Sequence, residues 1–75
     1  MLPSRHHEHD AKFIKDQLNK IPSTMTKEVC GKYSAAFRDA YDKEPNYVKK
    51  ENAARREANT RLRLFAKKVQ ERIQW

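Results

Sequence analysis

NYVKKENAARREANTRLRLFAKKVQERIQ, residues 46–74, decides how this chain folds. No proline or glycine interrupts it, and it is built from Ala, Arg, Lys, Glu, Gln and Leu, all strong helix formers. At about 100° per residue, Val48, Ala54, Ala58, Leu62, Phe65, Val69 and Ile73 fall on one face. The spacing predicts one helix over 46–74, which at 1.5 Å per residue is roughly 43 Å long. Alanines near its start allow a neighbouring helix to approach closely, and the larger residues from Leu62 onward demand more room. No other segment is as long, so part of this helix is expected to project past the core.

Two shorter helices are read upstream. Ala11, Ile14, Leu18 and Ile21 share a face over about 10–20, with Phe13 beside it and Asp10 as N-cap or first-turn acid. Pro22 stops that segment, because the residue before a proline is pushed out of the helical region. Met25, Val29, Tyr33, Ala36, Phe37 and Ala40 form a second stripe over about 24–42, with Ser23 or Thr24 as capping residues. Lys43 to Asn46 is a loop around Pro45, which suits the first turn of the next helix. Residues 1–9 show no period and are expected to be a mobile leader before a single domain over 10–75. The expected fold is all-α, a small three-helix domain in which two short helices pack on a long basic C-terminal one.

The composition agrees with a small helical binding module. One glycine and three prolines in 75 residues exclude a sheet protein rich in tight turns. With 37% apolar and 36% charged residues the chain is more polar than a typical globular domain, and a core this small supplies little net stability. A second copy or a bound partner is therefore expected to matter. No secretory apolar region follows Met1 and no apolar run approaches a membrane span. Cys30, the single cysteine, has no internal disulfide partner, and a cytoplasmic setting fits.

The charge is unevenly placed. Residues 1–47 hold eight basic and seven acidic side chains, net +1, and residues 48–75 hold nine and three, net +6. Such an excess at one end points to an anionic partner, most often nucleic acid. On the helical wheel the cations of the last helix make two stripes, Lys49, Arg56, Arg63 and Lys67 on one flank and Lys50, Arg61 and Lys68 on another. Both lie off the apolar face. Cations on one accessible helix face neutralise phosphates and release counterions, and arginine also reads guanine edges. Asn52 and Asn59, beside the arginines, are candidates for reading adenine. The plainer account is a solvated face, in which Glu51 with Arg55 and Glu57 with Arg61 are ordinary i,i+4 pairs. Leu64 and Trp75 lie off the main apolar face and close in angle, a candidate contact with another subunit or partner.

Chemistry-bearing groups are sparse. His6, His7 and His9 with Glu8 and Asp10 are metal-capable side chains, but they sit in the leader, and a structural zinc site needs four ligands held in place. Cys30 has no histidine at helical spacing to act as a base, so it reads as a core thiol. Tyr33, Phe37 and Tyr41, four apart, read as core rather than as base-stacking groups. No phosphate-binding glycine loop is present, and neither a metal, a cofactor nor an enzymatic activity is expected.

The run from Glu51 to Phe65, Glu-Asn-Ala-Ala-Arg-Arg-Glu-Ala-Asn-Thr-Arg-Leu-Arg-Leu-Phe, with Ser-Arg-His-His-Glu-His-Asp from Ser4, resembles small proteins of temperate phages and prophages of enteric bacteria. The resemblance covers about half the chain and brings no fold or residue roles with it. It implies a bacterial host cytoplasm and two roles: an accessory part in DNA transactions, or binding and inhibition of a host protein, an acidic one given the charge of this chain.

Overall fold

In the computed structural model, which describes residues 1–73, three α-helices follow one another, α1 (Ala11–Leu18), α2 (Thr26–Lys43) and α3 (Lys50–Ile73). Each is preceded by a single 3-10 turn, at Glu8–Asp10, Ser23–Met25 and Tyr47–Lys49. No strand occurs among the described residues. This is the all-α three-helix arrangement that the three apolar stripes imply.

The core is one cluster. Ile14, Leu18 and Ile21 come from the α1 segment, Val29, Cys30, Tyr33, Ala36 and Phe37 from α2, and Ala54, Ala58, Leu62 and Ala66 from α3. The α3 members recur every four residues, and three of the four are alanines with no exposed surface. A ridge of methyl groups lets α2 lie close along α3, and this pair carries most of the interhelical contact while α1 crosses the remaining side. The long dimension, 44 Å against 20 and 18 Å, follows from α3, which at 24 residues is about 36 Å long.

Several local expectations are corrected. Val48 is not on the buried face of α3; it sits in the preceding 3-10 turn and is 84% exposed. Ala66, not read as core, is completely buried in its stead. Neither Ser23 nor Thr24 caps α2, which begins through a 3-10 turn closed by the Met25 N–H donating to the Pro22 carbonyl at 2.9 Å. Pro45 lies outside the first turn of α3; Asn46 caps the 3-10 turn there, its Oδ1 accepting the Val48 N–H. The side chain of Ile73 and the whole of Trp75 lie outside the described residues.

Residues 1–9, expected to be mobile, are placed against the bundle. Pro3 is buried and Leu2 packs on the core. The Ser34 hydroxyl accepts the Arg5 backbone N–H at 3.2 Å, and the Arg5 guanidinium lies 5.8 Å from the Phe37 ring centre. These contacts have no period because residues 1–7 form no helix or strand, so a search for helical or strand spacing passes over them.

Candidate nucleic-acid interface

The inner side of α3 is set by a polar network that ties all three helices together. Arg55 grips Asp10 with two hydrogen bonds, Nε to Oδ2 at 2.9 Å and Nη2 to Oδ1 at 3.0 Å. Asn59, one turn on, donates from Nδ2 to Asp10 Oδ2 at 3.0 Å and accepts the Tyr33 hydroxyl with its own Oδ1. Every polar group in this chain thus has a partner, which is what burial of such groups requires. Asp10 occupies the N-cap position of α1, as expected, but its side chain makes no capping bond and is bound to Arg55 and Asn59 of α3 instead. Glu51 and Arg55, expected to pair with each other, go separately to the N-terminal arm, Glu51 meeting His7 at 3.2 Å and Arg55 meeting Asp10. Asn59 is consumed in the network and is not free to read a base.

The network fixes a pH window. Arg55 holds the Asp10 carboxyl below its ordinary value of 3.8, with a further bond from Asn59. Burial pushes the Tyr33 phenol up to about 12, and the nearby Asp10 charge adds to the rise. For Asp10 the folded pKa is depressed, so its stabilisation is present above the unfolded value and is lost as pH falls through the folded one. For Tyr33 the folded pKa is raised, so its stabilisation is complete below about pH 10 and drains away as pH rises toward 12. We expect unfolding free energy, measured by urea denaturation across pH, to fall below about pH 4 and again above about pH 10. Ultraviolet titration should show one of the three tyrosines ionising only near pH 12. Tyr33→Phe should remove the alkaline loss.

The outer side of α3 carries the cations, and the structure divides the two stripes. Lys50 donates to the Tyr41 carbonyl at 3.0 Å and lies 5.4 Å from the Tyr41 ring centre. Arg61 is paired with Glu57 at 2.7 Å, as expected from their spacing. Lys68 is exposed. On the other flank Lys49, Arg56, Arg63 and Lys67 are all exposed, and none has a carboxylate within ion-pair distance among the described residues. Two shallow hollows join them. Arg56 and Arg63 flank one that is lined also by Phe13, Asn59, Thr60 and Asp10, whose carboxylate is held by Arg55, between α1 and α3. Arg56 also lines the next, with Lys49, Asn52, Ala53 and Glu44. A continuous cationic surface therefore runs from Lys49 to Arg63 and reaches Lys67 a turn later.

Phe13, Thr60 and Glu44 belong to this surface but were not legible as site residues. A helical wheel of α3 alone cannot show what α1 and the α2–α3 loop bring beside it. Leu64 is 51% exposed, and its expected companion Trp75 falls outside the described residues.

The remaining candidates are accounted for by local contacts. His7 Nδ1 accepts the His9 N–H at 3.1 Å, and His6 Nδ1 lies 2.6 Å from the Pro3 carbonyl. Among the described residues no group of three or more His, Cys, Asp or Glu side chains is arranged to hold a metal ion. Cys30 is buried, and burial pushes its thiol pKa up, away from the thiolate that a nucleophile needs. No helix among the described residues is long and apolar enough to cross a membrane.

No protein-family model matches the chain, and neither a curated protein nor a solved structure matches it.

Proposed function

We propose that this chain is a nucleic-acid-binding module that grips the phosphate backbone with Lys49, Arg56, Arg63 and Lys67. The observation that carries the reading is that these four cations are exposed and without an ion pair among the described residues, while on the other flank Lys50 and Arg61 are engaged with the protein itself and only Lys68 is free. Unpaired cations on a rigid helix need no reorganisation to meet an anion. Lys49, Arg56 and Arg63 stand seven residues apart, about 10.5 Å along the axis, close to three 3.4 Å steps of a nucleic-acid strand. The partners are phosphates rather than particular bases, since Asn59 is bound to Asp10 and Tyr33, and no hydrogen bond holds the exposed Asn52 in place among the described residues. A phage or prophage origin, and with it a bacterial cytoplasm, belongs to the same proposal.

Fluorescence anisotropy with a labelled 15-mer, as duplex and as single strand, tests the reading. Four phosphate contacts give a salt slope of about −3.6 on duplex, so affinity should fall roughly 150-fold between about 50 and 200 mM salt. Absence of binding to either form at low salt would end the proposal. The second reading is a protein-interaction module whose partner is an acidic host protein. The open groove of Val29, Tyr33, Ala58, Leu62 and Phe65 between α2 and α3 favours it, and so does exposed Leu64. Recovery of a protein partner from nuclease-treated bacterial lysate, together with no nucleic-acid binding, would favour that reading over the first.

A further inference from the structure

We infer that Tyr47 is a stacking platform for an unpaired base, so that the ligand of the α3 cations is single-stranded nucleic acid. The inference rests on the nucleic-acid reading above and specifies its class. Tyr33 is buried and Tyr41 is half-buried, but Tyr47 is 82% exposed, and its neighbour Val48 is 84% exposed. The fold therefore makes little use of this ring.

The turn that carries it is nonetheless organised. The Asn46 N–H donates to Glu44 Oε1 at 3.1 Å, the Val48 N–H to Asn46 Oδ1 at 3.0 Å, and the Lys49 N–H to the Asn46 carbonyl at 3.0 Å. Three hydrogen bonds thus hold the segment that presents an aromatic ring to solvent, in the turn that ends on Lys49. Lys49 follows two residues later, and Arg56 shares a hollow with it. A base lying on Tyr47 leaves its flanking phosphates within the reach of these two long cations. Single-strand binders combine these two parts, a stacking ring and a charged track for the backbone. A duplex keeps its bases stacked on one another and offers the ring no face. Glu44, which lines the same hollow, is tied to the Asn46 N–H.

The test compares the intact chain with Tyr47→Ala and Tyr47→Phe on labelled oligothymidylate, oligouridylate and a duplex of equal length, by anisotropy at low salt. Circular dichroism checks the fold, which an exposed turn residue should leave unchanged. Tyr47→Ala should weaken single-strand binding roughly 5- to 100-fold, with Tyr47→Phe retaining it. Duplex affinity should change by less than about twofold and the salt slopes should stay as they were, since no phosphate contact is removed. An equal loss on duplex and single strand, or no loss on single strands, overturns the inference and leaves the phosphate-binding reading standing. No binding of any oligonucleotide by the unaltered chain overturns both. A concentration-dependent dimer in light scattering that Tyr47→Ala dissolves would assign the exposed tip to self-association and overturn the inference as well.

Discussion

Replacing Lys49, Arg56, Arg63 and Lys67 together by glutamine should abolish measurable binding to nucleic acid at moderate salt, a loss of more than about 100-fold. The fold should survive, because all four side chains are exposed and none holds an ion pair among the described residues. Glutamine keeps the helix propensity and a polar, unbranched side chain, shorter than Lys or Arg, so the main change is the loss of charge. The matched control is the engaged pair of the other stripe, leaving the exposed Lys68 in place. Lys50→Gln with Arg61→Gln removes two positive charges from the same helix. Those charges are spent on the Tyr41 carbonyl and on Glu57, and binding should fall less than about threefold through the weakened general field. Equal losses from both stripes would mean that net charge alone attracts the ligand. The division between free and engaged cations would then be irrelevant to function.

Asp10→Ala should cost about 2–3 kcal/mol of folding stability, lowering the melting temperature by roughly 10–20 °C in a domain of this size. The change strips Arg55 of both its hydrogen bonds and Asn59 of one, leaving a guanidinium and the Asn59 Nδ2 without their acceptor between α1 and α3, while Asn59 Oδ1 keeps the Tyr33 hydroxyl. Loss of one member of a fully buried pair costs more, but here the Asp10 and Arg55 side chains are 13% and 30% exposed, and water recovers part of the penalty. Total stability for 75 residues is about 4–11 kcal/mol, so the loss is a large fraction of it. The double variant Asp10→Ala with Arg55→Ala should be less damaging than the two single losses added together, because the second change removes the stranded charge. Thermal unfolding followed by circular dichroism gives the four values. A single variant melting within about 3 °C of the unaltered chain would show that the network does not hold α1 in place.

The helices were legible because burial at 3.6-residue spacing leaves a periodic trace, as with Ile14 and Leu18, Val29 and Tyr33, or Ala58 and Leu62. The Asp10 network left no such trace. Its bonds join residues 26, 45 and 49 positions apart, and an asparagine or arginine on an α3 flank looks the same whether it faces water or a carboxylate from another helix. Helix starts were misread for a related reason. α1 and α2 enter through 3-10 turns and neither helix has a side-chain capping bond, so Ser23 and Thr24 do not cap α2, and Asp10, at the N-cap position of α1, spends its carboxylate on α3.

The candidate surface was half legible. Angles alone placed Lys49, Arg56, Arg63 and Lys67 together. Which of the two stripes is free depends on the Tyr41 carbonyl and on what α1 leaves uncovered, and those follow only from the folded chain. Val48 was assigned inward because the apolar period was extended one turn too far. That choice also hid its neighbour Tyr47, the most exposed of the three tyrosines, beside the cationic surface.

The central claim is that the unpaired α3 stripe is the phosphate contact, and parallel salt titrations of three proteins test it most directly. The unaltered chain, the four-glutamine variant and the Lys50/Arg61 variant are titrated with one labelled duplex across about 50–200 mM salt. The slopes should be about −3.6 for the unaltered chain and for the Lys50/Arg61 variant, and at a salt low enough to detect any binding, near zero for the four-glutamine variant. A four-glutamine variant that binds with the slope of the unaltered chain would contradict the assignment outright.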